Sequence, residues 1–348
     1  MRTVFWDDTA CLVKMIDQRA LPARLEVVAC QNASRVAEAI ADMTVRGAPA
    51  IGVSAAFGLA LAGLQSTAAD VPAWRADLAS AAETLISARP TAVNLAWAVH
   101  RILRVAEANL PLADLRERLL SEAQRMADED VATNRRMAEL GSALIQDGDT
   151  ILHHCNTGAL ATVDWGTALG VIRMAHEQGK LIFVLVDETR PRLQGARLTA
   201  WELQQYGIPY AIISDGASGY FLRSGQAQKV FFGADRVAAN GDVANKIGTY
   251  MLALAAHTND VPVYSVVPST TVDLSLANGD QIPIEERDAD EVLGIQIKGE
   301  SVVPTGAKAR NPAFDVTPHS LLTAIVTEKG IVYPPFIENL ARTLRAEN

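Results

Sequence analysis

The chain has 348 residues, 49% hydrophobic and 20% charged, an ordinary globular composition with material for one large or two medium domains. A net charge of -9 argues against nucleic acid or an anionic membrane as the main partner, so any anion site must come from a local basic cluster. Three cysteines without paired spacing argue against a disulfide framework, and MRTVFWDD at the N-terminus has no apolar core of a secretion signal, so a cytoplasmic protein is expected.

The first third reads as mostly helical. Two short strand-like runs, CLVKMID and RLEVVAC, precede a helix pattern from about Ser34 to the RGAP turn. The longest apolar run, APAIGVSAAFGLALAGL (48–64), is dominated by small residues. It reads as a buried helix that lets neighbouring backbones approach, and not as a membrane span. Cys11 and Cys30 fall in the apolar strand-like runs and are expected to behave as small buried hydrophobes. Segments 72–88, 91–108 and 112–144 are rich in Ala, Leu, Glu and Arg, and the last is long enough to bridge two domains.

From residue 149 the texture changes. Apolar strand candidates occur at 150–154, 181–187, 209–214, 229–234 and 262–267, separated mostly by helical patterns at 167–178, 196–206 and 243–258. Such alternation implies right-handed βαβ units and a buried parallel sheet. The expected fold is therefore α/β: a Rossmann-like parallel-sheet C-terminal domain (126–348) behind a smaller, mostly helical N-terminal domain (1–125) with short strands.

In open parallel sheets, ligands bind beyond the carboxyl ends of the strands. Here those ends carry Cys155-Asn156-Thr157-Gly158, Asp187-Glu188-Thr189-Arg190, Ser214-Asp215-Gly216, Gly233-Ala234-Asp235-Arg236 and Pro268-Ser269-Thr270-Thr271. That edge is the expected site. Neither G-x-G-x-x-G after the first strand nor a P-loop motif is present, so the fold alone implies no nucleotide cofactor. The His153-His154-Cys155 run invites a metal reading. On a strand, however, His154 would face away from the other two, and no second Cys or His pair has metal spacing, so no metal is expected.

Cys155 sits at a strand-to-helix turn, where free N–H groups can favour a thiolate or a developing anion; a structural cysteine is the competing reading. Asp235 follows an apolar strand, where partial desolvation would raise its pKa and suit it to donate a proton; capping the next turn or pairing with Arg236 is the alternative. Asn245 and Lys246 are read as opening a helix, with Lys246 a candidate phosphate ligand. Arg46 before Gly47-Ala48-Pro49, and Arg89 before Pro90, repeat that layout of a basic residue beside a helix start. Three basic helix starts in an acidic chain point to a small phosphorylated ligand.

The motifs RGAPAIG, RPTAVNLAWA, HCNTGALAT, GTALGVIR, DETRPRLQGARLTAWEL, GADRVAANGDVANKIGTYMLAL, VPVYSVVPSTTVD and NPAFDVTP together resemble the methylthioribose-1-phosphate isomerase family. That family is akin to ribose-1,5-bisphosphate isomerases and to regulatory subunits of a translation-initiation exchange factor. The motifs run in the family's order along nearly the whole chain. The resemblance implies that Asp235 is the proton donor and Cys155 its partner across the substrate, as stabiliser or second acid/base group. It implies further that Arg46, Gly47, Ala48, Arg89, Gln194, Asn245 and Lys246 bind the substrate. His153 and the Val163-Asp164-Trp165 run depart from the family's usual residues without touching an assigned role. The family implies a homodimer acting on a small phosphorylated sugar in methionine salvage, without metal or other cofactor. A ribose-1,5-bisphosphate isomerase and a non-enzymatic regulatory subunit are the rival readings.

Overall fold

The computed structural model describes residues 1–90 and 92–345. Two compact units emerge, one formed by residues 1–135 with Gly158–Gly166, the other by Arg136–Thr157 with the chain from Thr167 onward.

The first unit opens with an antiparallel three-stranded sheet of β1 (Val4–Asp7), β2 (Leu12–Ile16) and β3 (Val27–Cys30). Helices α1 (Ala33–Ala41), α2 (Ala48–Gln65), α3 (Val71–Ser87), α4 (Val93–Ala106) and α5 (Leu112–Gly141) follow. Side chains set the helix starts: Asn32 accepts from the Arg35 N–H at 2.8 Å, and Asp70 accepts from the Ala73 N–H at 2.8 Å. Helix α2 is apolar all round and lies in the core against α1, α3 and α4. Its glycines make the approach possible, since a Cβ on Gly63 would come 2.8 Å from Leu119 Cδ1, and the Gly63 carbonyl accepts from Trp74 Nε1 at 2.9 Å. Cys30 is buried as expected, but Cys11 is exposed with φ 51°, because the strand begins one residue later. The expected boundary at 125/126 falls inside α5, whose last residues from Arg136 belong to the second unit.

The second unit runs β4 (Thr150–His153), α6 (Ala168–Glu177), β5 (Phe183–Asp187), α7 (Ala200–Tyr206), β6 (Tyr210–Ile213), α8 (Ser218–Arg223) and β7 (Lys229–Phe232). Then come β8 (Arg236–Ala238), β9 (Val243–Lys246), α9 (Thr249–Thr258), β10 (Val263–Val266), β11 (Val272–Asp273), α10 (Asp290–Leu293), β12 (Gln296–Ile297) and β13 (Glu300–Ser301). β14 (Phe314–Thr317), β15 (Ala324–Thr327), β16 (Gly330–Val332) and α11 (Phe336–Arg345) complete it. The main sheet has the order β16-β15-β10-β7-β4-β5-β6, parallel except for β16. Alternate residues of one strand serve different cores. Ile151, Val184, Val186 and Phe231 pack on one face, while Leu152, Leu185, Val230 and Phe232 pack on the other, which is why these strands read as unbroken apolar runs.

Among the five strands read from sequence, the order is β10-β7-β4-β5-β6. The chain therefore leaves β4 in one direction and returns to its other side at β7, so the carboxyl ends of β4 and β7 form the topological switch point. A second sheet, β11-β8-β9-β14, lies in the same unit. It corrects one expectation. Residues 243–258 are not a single helix: Val243–Lys246 pair antiparallel with β14, Val243 and Ala244 pair also with β8, and α9 starts only after Gly248, whose φ of 102° breaks the strand from the helix.

Candidate active site

Beyond β4 the chain turns sharply at Cys155, whose φ of 68° is a left-handed conformation that non-glycine residues rarely adopt. Three side chains from the segment after β5 hold it there. The Cys155 N–H donates to Thr189 Oγ1 at 2.9 Å, Thr199 Oγ1 donates to the Cys155 carbonyl at 2.8 Å, and Gln194 Nε2 donates to the thiol at 3.6 Å. Thr189 (φ 61°) and Leu193 (φ 56°) are themselves left-handed. Backbone strain is thus concentrated around one buried thiol and is held by hydrogen bonds. Asn156 Nδ2 donates to the buried Glu202 at 2.8 Å, and Thr157 Oγ1 accepts from the Leu169 N–H at 3.0 Å, which fixes the rest of the turn.

The neighbouring strand end belongs to β7. β4 and β7 run parallel with His153 opposite Phe231, so Cys155 and Asp235 leave adjacent strands on the same edge. Gly233 allows the close approach: a Cβ there would come 2.9 Å from Thr157 Cγ2. The Asp235 N–H donates to the Ala244 carbonyl at 2.9 Å as the chain enters β8. Its side chain is exposed, so the desolvation expected of it is not found; after Ala234 the chain leaves the buried sheet edge. Arg236 pairs with Asp273 at 3.1 Å.

Asn245 and Lys246 are buried on β9 and do not open a helix. Pairing on both sides of the strand, and the turn at Asn240-Gly241 that leads into it, explain the difference. Asn245 Nδ2 donates to Thr249 Oγ1 at 3.0 Å. The Lys246 ammonium donates to the Ala313 carbonyl at 2.8 Å and lies 4.6 Å from the centre of the Phe314 ring. Gln194 is buried, and while its Nε2 meets the thiol, its Oε1 has no hydrogen-bond partner among the described residues. An orphaned acceptor beside Cys155 fits a group that receives a hydroxyl from a ligand.

The remaining candidates lie in the first unit. Arg46 is half-buried and precedes Gly47, which caps α2 with φ 98°; Ala48 is the first residue of that helix. Gly47 presses on the segment that follows the Cys155 turn, so that a Cβ would come 2.2 Å from the Ala161 carbonyl oxygen. Arg89 is half-buried in the α3–α4 connection, its carbonyl accepting from the Ala92 N–H at 3.0 Å.

The two histidines have opposite characters. His153 Nδ1–H donates to the Phe231 carbonyl at 2.8 Å, and Nε2 lies 3.3 Å from Thr157 Oγ1. Burial drives its pKa down to about 3, leaving a neutral ring. His154 lies 2.8 Å from Asp187 Oδ2 through Nδ1 and 2.9 Å from the Ile247 carbonyl through Nε2. Burial opposes its charge, but the hydrogen bond and charge of Asp187 outweigh it and lift the pKa to about 9. His154, Asp187 and Asp215 bring three ligand-type atoms within 4.8 Å of one another. Those groups are already engaged: Asp187 Oδ1 accepts from Ser218 Oγ at 2.5 Å, and Asp215 accepts from the N–H groups of Thr189 and Arg190 at 2.7 Å each. The cluster is a hydrogen-bonded network around the His154 ring.

Sequence reasoning assigned no site role to Asp187, Thr189, Thr199, Glu202 or Ser218, although the motif DETRPRLQGARLTAWEL contains the first four, and it weighed His154 only as a metal ligand.

A family model described as the initiation factor 2 subunit family matches residues 44–334. A Synechococcus protein named methylthioribose-1-phosphate isomerase is 54% identical over 344 residues, covering 99% of this chain and 98% of that one. A Thermotoga neapolitana protein of the same name is 51% identical over 343 residues, with 99% and 98% coverage. Of solved structures, the 5-methylthioribose 1-phosphate isomerase of Pyrococcus horikoshii superposes with a TM-score of 0.94 at 44% identity, covering 99% of this chain and 96% of that one. An A. fulgidus structure titled translation initiation factor eIF-2B, subunit delta, superposes at 0.90 with 43% identity, with 99% and 100% coverage.

Proposed function

The chain belongs to the initiation factor 2 subunit family and, within it, to the methylthioribose-1-phosphate isomerases, and from that premise we infer an aldose–ketose isomerase that converts 5-methylthioribose 1-phosphate to 5-methylthioribulose 1-phosphate in methionine salvage. The observation that carries this to particular residues is the pair of strand ends at the switch point, Cys155 after β4 and Asp235 after β7. Neither a ribose-1,5-bisphosphate substrate nor a regulatory role is favoured, since relatives at more than half identity carry the isomerase name over their whole length.

The anomeric carbon of the substrate carries the phosphate, so the ring does not open to a free aldehyde unaided. In our reading Asp235 protonates the ring oxygen as the bond from C1 to that oxygen breaks. Because Asp235 is exposed, the desolvation an acid needs there comes from the bound sugar itself. One hydrogen then passes from C2 to C1 while the C2 hydroxyl gives its proton back to the Asp235 carboxylate and becomes the ketone. In one route Cys155, as thiolate, takes the C2 proton and returns it to C1. In the other the hydrogen moves as hydride and Cys155 stabilises charge. Gln194, with its orphaned Oε1 beside the thiol, takes a substrate hydroxyl. The family resemblance gives Asn245 and Lys246, and likewise Arg46, Gly47, Ala48 and Arg89, as binding residues for the sugar phosphate. The reading extends to a cytoplasmic homodimer.

Isomerisation assays with methylthioribose 1-phosphate and ribose 1,5-bisphosphate test the substrate. Asp235→Asn and Cys155→Ala are each expected to lower kcat by about 10²-fold or more. Turnover of Asp235→Asn within a few-fold of wild type would remove it from the acid role. Solvent deuterium at C1 of the product supports the proton route, and its absence counts against proton abstraction by Cys155. Sedimentation at twice the chain mass is the expected result for the dimer.

A further inference from the structure

The isomerisation as read above leaves a buried, polar part of the site unused. His154 immediately precedes Cys155, and its ring reaches from the end of one sheet to the end of the other. Nδ1 meets the Asp187 carboxylate at the end of β5, and Nε2 meets the carbonyl of Ile247, the residue after Lys246. Gly248 makes room for the ring: a Cβ there would lie 2.9 Å from His154 Cε1 and 3.2 Å from Nε2. A backbone carbonyl only accepts, so Nε2 carries a hydrogen; with a carboxylate at Nδ1, the ring satisfies both partners when it holds both protons.

The charged and titratable groups around it come from every neighbouring element. Asp187 is held on its other oxygen by Ser218, and Asp215 is capped by the N–H groups of Thr189 and Arg190. On the side of α9, Asp315 accepts from the N–H groups of Gly248 and Tyr250 at 2.7 and 3.1 Å. Cys155 and the neutral His153 adjoin along the chain, and Lys246 lies toward Asp315. Three carboxyl groups converge on one imidazole, an environment that favours a cation.

We propose that His154 is a positioning residue for the isomerisation: a buried imidazolium, clamped by Asp187 and Ile247, that holds the Cys155 turn and the Asn245–Lys246 strand end in one frame and keeps positive charge beside the thiol. The residue before the thiol and the residue after the lysine are joined through a single ring. In the proton route the fixed charge favours the thiolate form of Cys155 and the enediolate that forms as the C2 proton leaves. This rests on the isomerase reading for its kinetic consequence, though the charge of the ring is readable without substrate.

The test combines NMR of protein labelled with ¹⁵N in its six histidine rings with kinetics on wild type, Asp187→Asn and His154→Gln. In the wild type, one imidazole is expected to keep both ring protons at pH 8. That signal is expected to be missing from both variants at the same pH. kcat of the wild type is expected to fall on the alkaline side with the midpoint at which this ring loses its proton. Asp187→Asn is expected to move both midpoints down together and to lower kcat about 10²-fold, with KM within about threefold. A wild-type spectrum without such an imidazole overturns the proposal, and so does a kcat that stays flat through its titration; neither outcome depends on a variant folding. If wild type lacks isomerase activity while the imidazolium is present, the functional reading fails and the charge assignment stands.

Discussion

Helix α7 is bracketed by two glycines, Gly195 at the turn leading into it and Gly207 at its carboxyl end, and alanine at each should have very different consequences. Gly207 adopts the left-handed conformation (φ 70°, ψ 21°) that ends many helices, with nothing within 4 Å of an added Cβ. Gly207→Ala should therefore cost only the conformational penalty, about 1 kcal/mol. At Gly195 the conformation is ordinary but the space is absent. A Cβ would lie 1.8 Å from the Asp187 carbonyl oxygen and 2.9 Å from Thr189 Oγ1. Backbone has to retreat from backbone by more than 1 Å, an overpacking strain of about 1–3 kcal/mol or more.

The displacement at Gly195 also reaches the site. Gln194, one residue earlier, donates to the Cys155 thiol, Thr189 Oγ1 accepts from the Cys155 N–H, and the Asp187 side chain holds His154. A shift of about 1 Å in such groups costs on the order of 10²-fold in turnover. Urea unfolding and steady-state isomerase kinetics on Gly195→Ala and Gly207→Ala measure both effects. The expected result is a turnover loss of about 10²-fold for Gly195→Ala and turnover within a few-fold of wild type for Gly207→Ala. A Gly195→Ala protein with the unfolding midpoint of Gly207→Ala and near-wild-type turnover would refute the close-contact reasoning.

Two further predictions concern stability. Burial lifts the Asp130 carboxyl, which accepts from the Val163 N–H at 2.7 Å, to about 7 from 3.8; since the folded state holds this proton more tightly, its contribution is present at low pH and is lost as pH rises from about 4 to 7. Asp130→Asn should flatten the pH dependence of unfolding over that interval, by a few kcal/mol at most, and an unchanged slope in urea melts would contradict it. Lys229 and Asp149 form a buried ion pair at 2.7 Å, so Lys229→Met, which leaves the carboxylate unpaired, should lower stability by about 3–5 kcal/mol, read from the same melts.

The parallel sheet was legible because its strands are covered on both faces. FVLVD and KVFF are apolar apart from Asp187 at the end of the first and Lys229 at the start of the second. The switch point followed from the order in which those strands pair, which no local pattern encodes. VANKIG was misread as a helix because a short apolar run with Ala and Lys suits either state; the Asn240-Gly241 pair before it is a hairpin signal that outweighs that propensity. Asp235 was expected to be desolvated by the strand before it, yet a side chain three residues past a buried strand end takes its exposure from the path of the chain, here outward into β8. The groups holding Cys155 were illegible for a simpler reason. Thr189 and Thr199 lie 34 and 44 residues away, and nothing in a threonine announces that its hydroxyl will meet a strained turn.

The adjacent histidines carry that argument to its limit. In sequence they are equivalent, two imidazoles at the end of one apolar strand, and in the structure both are buried. Their partners make them opposites. His153 meets the carbonyl of a neighbouring strand and a threonine hydroxyl, partners that a neutral ring satisfies, and burial holds it neutral. His154 meets a carboxylate and a carbonyl, two acceptors, and is held charged. Divergent protonation of neighbouring groups by their surroundings is how one site supplies distinct proton roles near neutral pH. Here the same divergence separates a ring that fastens β4 to β7 from a ring that fastens the thiol turn to the lysine strand. The two adjacent histidines then serve as one neutral strut and one fixed charge, with Cys155 next in the chain.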